Sequence, residues 1–226
     1  MRFVFGLLLW ASGVMAAYAM QVDKAIVHFP ADKSPRQDVV IGNPGEEPLF
    51  VDVGILTVSD PGTDSEQRLP VKDPESAPLI ATPRRLMVPP GGSRRVRLVN
   101  LEGHGDMEKV YRVDLRPVAP PEQMDSTGVR VLVGYQLLVF VAPSQTGISL
   151  EGQRDGKSLT LTNKGNVNVL LHEGEQCPPS PSTRPCEPVQ GRRLYPGNSV
   201  TLALPLDAPV RFNLTTAGET RQQRYP

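Results

Sequence analysis

Aromatic residues are scarce in this chain of 226 residues: six Phe, five Tyr and one Trp make up 5% of it. Any core must therefore be built from Val, Leu and Ile. Charge of one sign is absent as well. Lys and Arg number 24 and Asp and Glu 24, so no basic field attracts nucleic acid, and none is expected as a partner. Cysteine is limited to Cys177 and Cys186, and His172 is the only histidine near them in sequence, which is too little for a closed zinc site. His28, His104 and His172 are scattered, and none has a carboxylate or thiol at motif spacing. There is no Gly-x-Ser-x-Gly elbow, phosphate-binding Gly-rich loop or His-Glu-x-x-His. These absences argue against catalysis, and no metal or cofactor is expected.

Long apolar runs are missing too. Phe3 to Trp10 is apolar but too short to span a bilayer. With Arg2 before it and Ala17-Tyr18-Ala19 after it, residues 1–19 read as an export signal cleaved near Ala19. Since Arg2 is the one charged residue lost, the mature chain carries a formal net charge of about −1. In an exported chain without other thiols, Cys177 and Cys186 are expected to pair across their Pro/Ser-rich loop, a local staple of about 2–3 kcal/mol at most.

What the chain does have is proline, 24 residues spread along its length, which favours short strands and turns over helices. It also has one long alternating stretch, Val129 to Pro143, in which Val129, Val131, Val133, Tyr135, Leu137, Val139 and Val141 share a face. That predicts a central strand, either wholly within a core or with part of its apolar face left for another protein. Upstream, strands are expected over Gln21–Phe29, Val39–Ile41 and Leu49–Val58, then a long loop from Asp60 to Ala77 with one short edge strand. Ile80-Ala81-Thr82-Pro83, Leu86-Met87-Val88, the turn Pro89-Pro90-Gly91-Gly92 and Ser93–Val99 follow. Arg84, Arg85, Arg94, Arg95 and Arg97 make this hairpin basic, which is equally the pattern of a solvated strand face.

Lys109–Val118 alternates again and pairs with the central strand through a long tip. If Val118 faces residue 128, Arg112 lies opposite about residue 134, away from the tip. After Pro143, Ser144–Gly147 is a linker, and short strand patterns resume up to Leu214. The polar tail Thr216–Pro226 is expected to fray. The fold class is all-β, with immunoglobulin-like sandwiches of about seven strands at 20–143 and 144–226.

Ile80-Ala81-Thr82-Pro83, Pro90-Gly91 and Val96-Arg97-Leu98 resemble the motif of periplasmic chaperones of the chaperone–usher pilus pathway. Glu108 with Tyr111-Arg112-Val113 is similar to the alternate branch of that family, the alpha-type and common-pilus chaperones. Leu161-Thr162-Asn163-Lys164-Gly165-Asn166, the cysteine pair and Leu194-Tyr195-Pro196-Gly197 look closest to the common-pilus members. The resemblance implies two sandwiches in an L with a cleft between them, in the periplasm. It implies capture of pilin subunits by donor-strand complementation and delivery to an outer-membrane usher, with self-association of the free chain through the same strand also open. The matching donors are Val129, Val131 and Val133, with Tyr135 and Leu137 as extensions. Where the better-known branch anchors the pilin C-terminal carboxylate with two basic residues, this chain has Ile26 and Leu138. Arg112 is the preferred replacement and Lys24 the second, the alternative for Arg112 being a cross-strand ion pair with Asp114. A structural pilus subunit or adhesin, and a periplasmic enzyme or binding module, are the competing readings.

Overall fold

A computed structural model describes residues 20–73, 75–119, 131–179, 181 and 183–226, which form eighteen strands and no helix. The first half contains β1 (Gln21–Val22), β2 (Ile26–Phe29), β3 (Arg36–Gly42), β4 (Leu49–Ser59), β5 (Gln67–Pro70), β6 (Leu79–Thr82), β7 (Arg85–Val88), β8 (Ser93–Asn100), β9 (Lys109–Val118) and β10 (Tyr135–Val141). One sheet runs β1-β3-β8-β6, and the other runs β2-β10-β9-β4-β5 with β7 beside β4. Their inward side chains, among them Val39, Ile41, Val96 and Leu98 from one sheet and Val53, Val113, Leu115, Leu137 and Val139 from the other, form one core. Fully burying such a side chain contributes about 1.5–3 kcal/mol.

At two places a short break divides neighbouring strand segments between these sheets. The expected first strand is really two: β1 pairs with β3, β2 pairs parallel with β10, and Asp23–Ala25 makes the crossing. Lys24 sits in that crossing, where its Nζ donates to the Asp38 carbonyl at 2.8 Å. The second such break lies between β6 and β7, at the cis Thr82–Pro83 peptide. Beyond it the turn into β8 has Gly91 at φ 63°, a conformation that favours glycine.

The second half contains β11 (Leu150–Asp155), β12 (Ser158–Asn163), β13 (Val169–Gln176), β14 (Glu187–Val189), β15 (Arg193–Leu194), β16 (Ser199–Ala203), β17 (Val210–Thr216) and β18 (Glu219–Tyr225). Its sheets are β11-β12-β16 and β14-β13-β17-β18, with β15 beside β13, around a separate core. Two buried asparagines fix equivalent turns in the two halves. Asn43 Nδ2 donates to the Val88 carbonyl at 3.1 Å, and Asn163 Nδ2 donates to the Val167 and Leu194 carbonyls at 2.8 and 3.0 Å. Cys177 and Cys186 form a disulfide between β13 and β14.

Two expectations need correction. The tail does not fray: β18 pairs with β17 over seven residues, and Tyr225 buries its ring against Phe212. Gly152 leaves the room for that ring, since a Cβ there would lie 2.5 Å from it. Polarity misled the reading because only Tyr225 of this strand faces the core strongly. The central strand is also shorter than its pattern among the described residues, running from Tyr135 to Val141 with Val131–Gly134 outside it.

The Tyr225 hydroxyl is buried without a hydrogen-bond partner. Tyr225→Ala should therefore lower stability by about 3–5 kcal/mol in urea denaturation, while Tyr225→Phe should be neutral or stabilising.

Candidate functional site

The outward face of the β2-β10-β9-β4 sheet can be read row by row from its register. One row is Ile26, Leu138, Arg112 and Leu56, and the next toward the second sandwich is His28, Phe140, Val110 and Val58. Arg112 thus lies opposite Leu138, four residues from the expected position 134, because the hairpin tip is longer than assumed. The consequence is favourable: Arg112 is the cross-strand neighbour of one apolar position of the missing basic pair and shares a row with the other.

Around Arg112 the polar groups are mostly committed. Arg68 pairs with Glu66 at 2.6 Å and donates to Gln136 Oε1 at 2.9 Å, and Gln136 donates to Asp114 at 2.7 Å. Asp114 is therefore engaged by Gln136, whereas the Nε of Arg112 is buried with no hydrogen-bond partner. Lys24 is not brought to this face. It donates to the backbone carbonyl of Asp38 on the opposite sheet, and Arg97 and Arg95 pair with the Asp38 carboxylate at 2.8 and 3.4 Å. The expected basic hairpin is not one, because β7 pairs with β4 while β8 pairs with β3 and β6 in the other sheet. Arg95 and Arg97 belong to a solvated, ion-paired face around Asp38, and Arg85 pairs with Asp52 on the opposite sheet.

Among the donor candidates, Val131 and Val133 are 79% and 51% exposed, and neither lies in a strand. Tyr135 packs at the border of the first core, and Leu137 is buried inside it, so Leu137 has no side chain to offer a partner. Val129 lies outside the described residues. On one side β10 is paired with β9 throughout; on the other, β2 covers only Leu138–Val141. Gly134 lets the chain approach β9 at that point, since a Cβ would meet the Leu115 carbonyl at 2.8 Å.

Below this edge the two sandwiches meet. Phe140 is buried between them with Val110 and Tyr195, and His28 stacks on its ring at 5.4 Å. The Arg193 guanidinium lies 5.1 Å from the ring centroid and donates to Asn168 Oδ1. Glu108 Oε2 accepts from the backbone and side-chain nitrogens of Asn168 at 2.8 and 2.7 Å. Burial raises the Glu108 pKa against the pull of these bonds, and burial lowers that of Arg193. Asn198 Nδ2 donates to the Pro61 carbonyl at 2.8 Å, tying the loop after β4 to the second sandwich. Sequence gave Phe140 and Arg193 no role in a site and Tyr195 one only as part of the Tyr195-Pro196-Gly197 turn, which was the available signal. Among the described residues, Glu175, Cys177 and Cys186 cluster as metal ligands do, but a disulfide offers no thiolate.

Residues 19–147 match the family model of the pili and flagellar-assembly chaperones, PapD N-terminal domain. The chain belongs to that family. It is a chaperone of pilus assembly, not an enzyme, and its compartment is the periplasm. A CS1 fimbrial subunit of Escherichia coli is 29% identical over 160 residues, and the alignment spans 66% of each chain, about two thirds of that relative's length. The crystal structure of the class 5 fimbriae chaperone CfaA superimposes with a TM-score of 0.67 at 22% identity, covering 91% of this chain and 98% of the other. A chain of the Salmonella enterica SafA pilin–SafB chaperone complex gives 0.64 at 15% identity, covering 93% and 97%. The structural likenesses concern the fold, which this chaperone shares.

His28 gives a pH test of the seam. Burial first and Arg193 second lower its pKa below the usual 6.5, so the unfolded chain takes up the proton before the folded one. Its contribution is full above pH 6.5 and is lost as pH falls from there toward the folded value. Glu108 acts with the opposite sign, its raised pKa favouring the folded state as pH falls. The difference between wild type and His28→Asn isolates the histidine: denaturation between about pH 7.5 and 5.5 should show a smaller loss of stability on acidification in the variant.

Proposed function

We propose that this chaperone captures pilin subunits by lending them a strand, the segment that runs into β10. The observation that carries the reading is the half-paired strand. From Tyr135 to Leu137 one edge has no strand beside it among the described residues, and Val131 and Val133 project from the adjoining segment into solvent. An incomplete sandwich has the complementary deficiency: unpaired backbone groups along a groove and apolar surface within it, both unfavourable in water. Adding an extended segment satisfies the backbone, and alternate β-branched side chains fill the groove. Val129, Val131 and Val133 serve as the donors, Tyr135 marks where the face turns into the chaperone's own core, and Leu137 is left out. Arg112 is the carboxylate anchor, because its Nε lacks a partner and Lys24 is committed to Asp38.

In this reading the chain is exported with cleavage near Ala19, the units 20–143 and 144–226 act as separate sandwiches, and the captured pilin passes to an outer-membrane usher. The pilin–chaperone complex among the structural neighbours supports a pilin partner. The CS1 relative, a fimbrial subunit by name, favours a second reading in which this chain is itself a structural component. Against it, each half has its own core, and Gln21–Val22 is paired in a sheet instead of extending as a donor arm.

Periplasmic co-expression with pilins encoded alongside, each lacking its donor extension, tests the reading by co-purification. Val131→Asp should abolish the complex with the fold intact, and undiminished capture would remove this segment from the account. Arg112→Ala should weaken capture by about 2–5 kcal/mol without unfolding the chaperone, and unchanged affinity would place the anchor elsewhere.

A further inference from the structure

Building on that capture reading, we propose that Arg193 of the second sandwich is the second cation of the anchor, so that one C-terminal carboxylate is gripped across both sandwiches. The first sandwich cannot supply a second cation in the anchor row, where Arg112 is flanked by Leu138, Ile26 and Leu56. Arg193 lies one row away. Its guanidinium stands over Phe140, which is paired with Val110, and Arg112 follows Val110 by two residues on the same face of β9, about 7 Å along the strand.

Burial acts most against the Arg193 charge and Arg112 adds to it, while Tyr195 and Glu108 favour it, and Arg193 does not relieve the repulsion by releasing a proton. Glu66, the carboxylate that feels Arg112, is already held by Arg68 and by the Gly62 N–H. The acid beside Arg193, Glu108, already accepts two hydrogen bonds from Asn168, and the Nε of Arg112 has no acceptor. A carboxylate placed between the two guanidinium groups would give each an acceptor oxygen and reduce their mutual repulsion. Arg193 is also held in advance, by Asn168 Oδ1 and by the ring of Phe140, so little side-chain freedom is lost on binding. Arg193 is thereby a specificity-determining contact for a free chain end, and occupancy of the anchor ties the two sandwiches together.

The test uses the full chaperone and a donor-deleted pilin in two forms, one with its native C-terminus and one extended by a short Gly-Ser tail that carries the carboxylate away. Arg193→Gln should lower affinity for the native end by about tenfold or more and leave the extended form nearly unchanged, with Arg193→Lys in between. Equal losses for both forms would assign Arg193 a purely structural role and overturn the proposal, as would no loss with either. The parent reading fails separately: wild type would then bind no pilin, or Val131→Asp would bind as well as wild type, and the anchor would fall with it. Thermal unfolding of Arg193→Lys, which keeps the charge over Phe140, separates loss of the contact from loss of the fold.

Discussion

A strand has two edges to satisfy, and β10 satisfies both only from Leu138 to Val141, where β9 and β2 flank it. The limit is set by the chain's crossing at Asp23–Ala25. Because β1 belongs to the opposite sheet, only four residues of the first segment remain to cover β10. Had Gln21–Phe29 stayed in one sheet, the edge beside Tyr135–Leu137 would be closed and nothing would be left to lend. An uncovered edge next to exposed valines is a template for pairing with another chain, and the proposed capture rests on that feature.

The same strand has two faces with different tasks. Leu137, Val139 and Val141 hold the first core, while Leu138 and Phe140 look outward to Arg112 and to the second sandwich. The seam is therefore built on the strand that also provides the open edge. Its contents are unusual for a joint between sandwiches: a buried aromatic with a guanidinium over it, and a carboxylate removed from water whose hydrogen bonds come from the other half. Buried charges of this kind add little net stability once desolvation is counted, but they penalise any misalignment severely. They hold the relative placement of the halves, and with it the position of Arg193 with respect to Arg112.

Some of this was legible in the residues. The alternation around Val131 to Val141, the Asn43-Pro44-Gly45 and Tyr195-Pro196-Gly197 turns and the short spacing between strand patterns point to sandwiches because side-chain period and turn chemistry are local properties. Arg112 could be placed on the right face for the same reason. Its partner could not: a register depends on the length of a hairpin tip, and an error there put its predicted neighbour at position 134 where the structure has Leu138. β18 was missed because its backbone pairing with β17 is indifferent to the polar side chains it carries.

By itself, the sequence pointed to export, to an all-β chain of two sandwiches, and to one unusually long alternating strand pattern whose use, within a core or by a partner, it left open. Those follow from composition and period, which every residue expresses on its own. Only the tertiary structure decided where that strand stops being covered, that Leu137 belongs inside while Val131 and Val133 do not, and that Lys24 faces away while Arg193 arrives from 81 positions downstream of Arg112. Such facts depend on which backbone edges and charges meet through space, and no local pattern encodes a meeting between segments so far apart in the chain.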